Sequence, residues 1–133
     1  MRWLLDTNAV SRFLANKDVA LTQKIRSKTT RDVFICSVVK AELFYGAWNS
    51  NRIAEKLAEL KQVFEDLSSF DFDDAAAVEF GKLQAHLSQQ GCRIGPNDTL
   101  IAAIALANDL TLVTNNTREF SRVPNLKIED WQS

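Results

Sequence analysis

Residues 94–107 read IGPNDTLIAAIALA, a Gly-Pro turn followed by a nearly unbroken apolar run. A helix that is apolar on every side is expected to be buried in the core of a domain. Gly95 and Pro96 form a helix start signal, because proline is accommodated in the first helical turn. Asp98 stands in that turn, at the positive end of the helix dipole. The sequence therefore predicts a buried helix with a carboxylate in its first turn. Asp98 could cap the helix, or it could bind a metal ion or take part in phosphate chemistry.

Short apolar runs on both sides of this helix have the form of buried strands. They cover residues 2–5, 33–36, 110–113 and 126–128, and residues 69–72 could add a short edge strand. Between them, amphipathic or capped segments predict helices at residues 10–14, 19–25, 38–49, 53–67, 74–90 and 117–120, with Ser37 as the cap of the third. Alternating strands and helices favour a three-layer α/β/α fold with a mostly parallel sheet. We expect a single domain spanning residues 1–133.

Composition narrows the class of protein further. The chain is 46% apolar and 25% charged, which is typical of a globular protein, and neither a membrane-spanning run nor a secretory leader is expected. Cys36 and Cys92 lack metal-binding spacing, so we expect reduced thiols and a cytoplasmic location. With 16 basic against 17 acidic residues, the chain lacks the footprint of a strong nonspecific nucleic-acid binder. An enzyme that holds a nucleic acid locally remains compatible with this balance.

Polar residues follow the predicted strands at the edge where ligands bind in parallel sheets. Asp6 comes directly after the first strand, and Asn115 and Asn116 follow the strand at 110–113. Glu42 lies in the second turn of the helix after the second strand, where it could belong either to a site or to a solvated stripe with Gly46 and Asn49. Asp98 needs the tertiary fold to bring it to this edge.

Three carboxylates that meet at one edge can all stay ionised only if a cation sits among them. Oxygen ligands without cysteine or histidine favour Mg²⁺, or Mn²⁺, over zinc. A metal-activated water is a ready nucleophile against a phosphodiester, and the ion also neutralises charge in the transition state. If Asp6, Glu42 and Asp98 converge, a metal-dependent phosphodiesterase is the natural reaction class.

Four motifs in this order resemble the PIN-domain ribonucleases, and among them the VapC toxins of bacterial toxin–antitoxin pairs. The motifs are Leu5-Asp6-Thr7-Asn8, Val39-Lys40-Ala41-Glu42-Leu43, Gly95-Pro96-Asn97-Asp98 with Ile101-Ala102-Ala103, and Val113-Thr114-Asn115-Asn116 followed by Glu119-Phe120. The match extends from Leu5 to Trp131.

The resemblance implies that Asp6, Glu42 and Asp98 form an acidic metal site, with Asp6 and Asp98 as direct or water-mediated Mg²⁺ ligands. It also implies cleavage of a structured RNA such as tRNA, neutralisation by a cognate antitoxin, and a homodimer. Where many family members have a further acid, this chain has Asn116, with Glu119 three residues later. Either residue could complete the site, and our hypothesis is that Glu119 supplies the missing charge.

Other classes of protein fit less well. An aspartyl-phosphate enzyme needs a second acid two residues after the nucleophile, where this chain has Asn8, and a receiver domain needs a lysine after a late strand, where it has asparagines. A nuclease acting on DNA is the nearest alternative, because the metal chemistry is indifferent to the sugar. A noncatalytic interaction module of the same fold is the third possibility.

Two surfaces are open to interpretation from the sequence. Candidates for phosphate contacts lie near the motifs in the chain, and they are Arg12, Lys40, Arg93 and Arg118. Tyr45 and Trp48 could present a groove for a partner helix, or could simply pack in the core.

Overall fold

The computed structural model describes residues 1–132 and contains a five-stranded sheet in which every pair of neighbouring strands is parallel. The strands are β1 (Trp3–Leu5), β2 (Val33–Cys36), β3 (Ser68–Phe70), β4 (Thr111–Val113) and β5 (Ile128–Glu129). Their order in the sheet is β3-β2-β1-β4-β5. The chain therefore builds outward from β1 in one direction and then in the other. The order reverses between β1 and β4, where open parallel sheets bind their ligands.

Helices connect the strands and cover the sheet, as the predicted α/β/α fold requires. They are α1 (Thr7–Leu14), α2 (Val19–Arg26), α3 (Ser37–Trp48), α4 (Ile53–Asp66), α5 (Asp74–Gln89), α6 (Pro96–Ala107) and α7 (Thr117–Phe120). Apart from the start of α1, every predicted helix end agrees with the structure to within two residues. α1 begins three residues earlier than predicted because Asp6 caps it at Thr7. Within residues 1–132, no helix is long and apolar enough to cross a membrane.

The apolar helix predicted at residues 94–107 corresponds to α6, which is buried in the structure. Every residue from Ile101 to Ala105 on α6 is fully shielded from solvent. Four of them, Ile101, Ala102, Ile104 and Ala105, join Leu4, Ile35 and Leu112 of the three central strands in one core cluster. The residues of a helix can be apolar all round when the helix packs on both the sheet and a neighbouring helix. The burial of α6 fixes where its first turn, with Asp98, meets the edge of the sheet.

The predicted cap of the third helix is wrong. α3 begins at Ser37 itself, and Cys36 occupies the capping position without a side-chain hydrogen bond. The Ser37 hydroxyl instead accepts a hydrogen bond from the Phe72 backbone N–H at 3.2 Å. A strand that runs directly into a helix leaves no loop residue to act as a cap, so the serine is used to hold the segment before α5. Cys36 and Cys92 are both free thiols.

Aromatic side chains join the two ends of the described chain. The rings of Trp3 on β1 and Trp131 near the C-terminus lie 5.7 Å apart in an edge-to-face arrangement. Glu129 accepts hydrogen bonds from both indole N–H groups, at 3.3 and 2.9 Å. The ammonium of Lys28 lies 4.4 Å from the Trp3 ring centre, where a cation–π interaction is favourable. The C-terminal segment is thereby attached to the central strand.

Candidate active site

A cleft of about 1070 Å³ opens at the carboxyl ends of the central strands. Its walls include the acidic residues predicted from the sequence together with an amide, namely Asp6, Glu42, Asp98 and Asn116. These residues come from four separate parts of the chain. The cleft lies at the reversal of strand order between β1 and β4, as expected for a ligand site in such a sheet.

Asp6 is held rigidly by the first strand and the first helix. Its backbone N–H bonds to the carbonyl of Val113 at 3.1 Å, and its side chain caps α1 by accepting from the Ala9 N–H at 2.8 Å. Only 5% of the residue is exposed. Burial raises the pKa of Asp6, while hydrogen bonds from Thr114 and Ala9 oppose the rise. The carboxylate is thus partly desolvated but fixed in direction.

Glu42 faces the cleft from the second turn of α3. Its carboxylate accepts a hydrogen bond of 2.6 Å from the hydroxyl of Thr7, the residue after Asp6. Glu42 and Gly46 both line the cleft, so this face of α3 is not an ordinary solvated stripe. Among the described residues, Asn49 lies outside the cleft lining. The bond to Thr7 joins the second strand–helix unit to the first directly at the site.

Asp98 occupies the first turn of α6 but is not its cap, since Gly95 takes that position. Burial, followed by the negative charges of Glu119, Asp6 and Glu42 in that order of effect, raises the pKa of Asp98 to about 6. Like charges disfavour ionisation only when they lie close together. The tertiary fold therefore brings Asp98 to the other acids, which the chain order alone could not establish.

Glu119 bridges two segments at the border of the cleft. One carboxylate oxygen accepts from the Gly95 N–H at 2.7 Å, and the other accepts from the Asn116 side-chain amide at 2.9 Å. The bonds from Asn116 and Gly95 lower the pKa of Glu119. Asn116 lines the cleft, whereas Glu119 lines a neighbouring depression beside Gly95. Both residues are thus near Asp98, but only the amide faces the cleft that holds the other acids.

Sequence reasoning missed two threonines that support the acids. Thr7 bonds Glu42, and Thr114 bonds Asp6 and accepts from the Asn116 backbone N–H at 3.0 Å. Both are directly beside a predicted site residue and just past a strand, and this position was the available signal.

The basic residues at the cleft were also missed. Lys17, Arg52 and Lys56 line it, and they come from the α1–α2 turn and the start of α4. In the part of the chain that the structure describes, the lining does not include Arg12, Lys40, Arg93 or Arg118. Arg12 pairs with buried Asp18 at 3.6 Å, and the Lys40 ammonium lies 5.2 Å from the ring centre of Phe64. Proximity in sequence was therefore a poor guide to the charges that reach the cleft.

The donor atoms at the site suit a hard divalent cation. The acids offer oxygen ligands, which Mg²⁺ and Mn²⁺ prefer. Burial and then the neighbouring acids raise the pKa of Asp98, and a cation among these carboxylates would favour its ionised form. Within residues 1–132, no three acidic, histidine or cysteine side chains are already arranged to hold an ion. Mg²⁺ commonly keeps several of its waters and is often held through one or two carboxylates.

A parallel sheet covered by helices, with a cleft lined by carboxylates where the strand order reverses, is typical of an α/β enzyme that uses acidic residues. The chain belongs to the PIN-domain family, since the family described as "PIN domain" matches residues 3–126. Its full-length similarity places it with the VapC ribonucleases of that family. The predictions of the fold class, of the family and of a ribonuclease enzyme are thereby confirmed.

Known proteins resemble the chain over nearly its whole length. The tRNA(fMet)-specific endonuclease VapC of Salmonella typhimurium is 36% identical over 131 residues, covering 98% of both chains. Among solved structures, DNA-bound VapBC from Salmonella typhimurium matches with a TM-score of 0.93 and 35% identity, over 98% of each chain. VapBC2 from Rickettsia felis, bound to a promoter DNA fragment, matches with a TM-score of 0.92 and 34% identity over 99% and 100% of the two chains.

Proposed function

We propose that the protein is an endoribonuclease toxin that hydrolyses a phosphodiester bond of tRNA with the help of Mg²⁺, or of Mn²⁺. The convergence of Asp6, Glu42 and Asp98 on one cleft carries this proposal. The resemblance to a tRNA(fMet)-specific endonuclease supports tRNA as the substrate class. An RNA substrate also favours a cytoplasmic site of action.

In this proposal Asp6 and Asp98 hold the cation, directly or through water, and Glu42 completes the acidic set. A bound cation would supply an acidified water as nucleophile and would neutralise charge that develops on the phosphate. Thr7 orients Glu42 through their 2.6 Å hydrogen bond, and Thr114 does the same for Asp6. Precise support of this kind matters because small displacements of reacting groups are costly in rate.

Asn116 and Glu119 have different tasks in the proposed site. Asn116 faces the cleft, where its amide oxygen can orient water. Glu119 fixes the start of α6 through Gly95 and fixes the Asn116 amide at the same time. Its negative charge also acts on Asp98. Glu119 thus contributes negative charge to the proposed metal site from just outside the cleft. It also positions Asn116, which lines the cleft, and Gly95, which lies beside it.

We further propose a cognate antitoxin and a homodimer. The solved relatives are VapBC assemblies, which supports a protein partner. Tyr45 and Trp48 on α3 are 71% and 63% exposed, so ordinary core packing does not explain them. They are suitable contact residues for a partner helix or a second copy of the chain.

The direct test uses purified protein, free of antitoxin, with a bulk tRNA pool in Mg²⁺. New RNA ends are mapped by sequencing, with EDTA and an Asp6→Asn plus Asp98→Asn variant as controls. Asparagine is as good a helix cap as aspartate, so the variant keeps the cap of α1 while it removes the charges. We expect discrete cuts that vanish in both controls.

Other results would point to the alternatives. Intact tRNA with cleavage of a DNA substrate would favour a DNA nuclease. If tRNA, other RNAs and DNA all stayed intact, the noncatalytic interaction module would replace the enzyme. Cuts that persist in EDTA would contradict the metal chemistry.

A further inference from the structure

The cleft that holds the carboxylates is also lined by positive charges. Lys17, Arg52 and Lys56 contribute to its walls, and we call these three residues the basic rim. Lys17 and Arg52 are exposed, and Lys56 is half-buried. The chain as a whole has one more acidic than basic residue, so this grouping is local. A polyanion that approaches the acids would meet these cations in the same cleft.

The distance between the acids and the rim fits a nucleic-acid strand. α1 begins directly after Asp6 and has eight residues, which span about 12 Å along the helix axis. Ser11, Leu14 and Ala15 continue the cleft wall along this helix, and Lys17 follows just beyond its end. At about 3.4 Å per stacked nucleotide, the helix corresponds to three or four nucleotides. Lys17 is therefore placed for a phosphate some nucleotides away from the bond at the acids.

Lys17 is presented by a well-defined turn. Asn16 before it adopts a positive φ of 54°, a conformation that asparagine tolerates better than most residues. Asp18 after it is 2% exposed, caps α2 through the Leu21 N–H at 3.0 Å, and lies 3.6 Å from the Arg12 guanidinium. These anchors on both sides fix the backbone of Lys17 while its side chain stays exposed. A lysine held in this way can bind a phosphate with little ordering of the main chain.

Lys56 and Arg52 lie one turn apart at the start of α4, on the face that lines the cleft. Arg52 pairs with Glu55, so its charge is partly neutralised. Glu59 lines the same cleft three residues after Lys56 and opposes its charge there. Lys56 and Lys17 are thus the rim residues whose replacement should be most informative, and Glu59 provides a test of opposite sign.

We propose that Lys17 and Lys56 bind backbone phosphates of the RNA substrate and so set the path of the strand out of the acidic end of the cleft. This inference rests on the proposed function and adds a substrate-binding site to it. Lysine is a mobile point charge that suits phosphate contacts, which position a nucleic acid without reading its sequence. The basic rim therefore contributes affinity and orientation, and base recognition must arise elsewhere.

The experiment measures binding of fluorescently labelled bulk tRNA by anisotropy between 50 and 300 mM KCl. Every protein carries Asp98→Asn and EDTA is present, so the RNA stays intact. Lys17→Gln and Lys56→Gln should each weaken binding by about 3- to 10-fold at 100 mM salt, and should each reduce the slope of log Kd against log salt by about 0.7–0.9. Glu59→Gln should tighten binding, an effect that partial unfolding cannot imitate.

Matched controls come from the helix that follows Lys17 and from the helix that carries Lys56. Lys24→Gln on α2 and Lys61→Gln on α4 remove exposed charges that are not part of the cleft lining, and should leave affinity and slope unchanged. The rim proposal is wrong if the rim variants behave like these controls. It is also wrong if the reference protein, which carries Asp98→Asn and no rim substitution, binds no RNA.

The two proposals can fail separately. Cleavage of tRNA in Mg²⁺ by a protein whose rim and control variants bind alike would uphold the function and overturn the rim. Rim-specific loss of binding in a protein that cuts no RNA would uphold the rim and overturn the proposed reaction.

Discussion

A carboxylate such as Asp98 meets opposing demands at the scale of the residue, because an ion requires its charged form while burial and neighbouring acids disfavour that form. The pKa of Asp98 is raised to about 6, so the folded protein resists losing this proton. The stability that the neutral group contributes is present below its ordinary pKa and is lost as the pH rises through about 6. At neutral pH the ionised side chain therefore destabilises the metal-free fold.

Replacing Asp98 by asparagine should stabilise the metal-free protein while it abolishes cleavage. The rise of the Asp98 pKa from its ordinary value to about 6 corresponds to about 3 kcal/mol, and solvent screening of the partly exposed side chain reduces this to about 1 kcal/mol, or about 3–5 °C in Tm. The measurement is thermal unfolding in EDTA at pH 7.5. Adding Mg²⁺ should raise the Tm of the wild type and leave that of Asp98→Asn nearly unchanged. A lower Tm for Asp98→Asn in EDTA would contradict the electrostatic account.

Glu119→Gln should weaken Mg²⁺ binding more than Asn116→Ala does. The first change removes a charge that acts on Asp98 and keeps the size of the side chain, whereas the second removes only an uncharged amide. Mg²⁺ titrations followed by calorimetry compare the two variants. The reverse order of affinities would assign the ion, or its water, to the amide of Asn116.

The sequence predicted the acids of the site more successfully than their surroundings. Asp6 could be placed at the carboxyl edge of the sheet because it directly follows a strand. Glu42 could be placed there because it lies in the second turn of the helix that follows the next strand. Thr7 and Thr114 could not be assigned, since a threonine past a strand end satisfies many other hydrogen bonds equally well. The basic rim was missed because residues 17, 52 and 56 become neighbours of the cleft only through the packing of α1, α3 and α4.

At the scale of elements, three helices begin at an aspartate cap. Asp6, Asp18 and Asp73 each cap a helix through the backbone N–H three residues later, at 2.8, 3.0 and 3.0 Å. These caps act through local geometry, which the sequence contains, although the start of α1 was predicted three residues too late. α3 has no side-chain cap, because β2 continues directly into the helix and leaves Ser37 inside it.

Asp73→Ala should therefore destabilise the protein by about 1 kcal/mol through loss of the α5 cap. Asp74→Ala is the matched control, because Asp74 is equally acidic and exposed but only favours the helix dipole, worth about 0.3–0.5 kcal/mol. Urea unfolding of both variants gives the comparison. Equal losses of stability would show that charge, and not the capping hydrogen bond, is responsible.

At the scale of the whole molecule, the sheet was predictable because its strands are short, apolar and separated by helices. The order β3-β2-β1-β4-β5 was not, since neither periodicity nor composition indicates which strands pair. The attachment of the C-terminal segment to β1 through two tryptophans was equally hidden in the sequence. That the chain forms a single domain stays a prediction.

Trp131→Ala should cost about 3–5 kcal/mol of unfolding free energy, because the residue is 6% exposed and packs against Trp3. Asp130→Ala, at an exposed neighbouring position, should change stability by less than about 0.5 kcal/mol. Urea unfolding followed by far-ultraviolet circular dichroism measures both without relying on tryptophan fluorescence. Similar small effects would mean that the C-terminal segment is only loosely attached.

The position of β1 in the middle of the sheet also bears on the order in which the protein is synthesised. β1 is translated before β4, but β4 is one of its two neighbours in the sheet, and the Asp6 N–H bonds to Val113. Asp98 and Asn116, which line the cleft, are also translated late. A nascent chain therefore has Asp6 long before it has a cleft. A nascent chain can therefore not act as a nuclease before β4 and Asn116 have been translated, so each chain is inactive during the earlier part of its own synthesis.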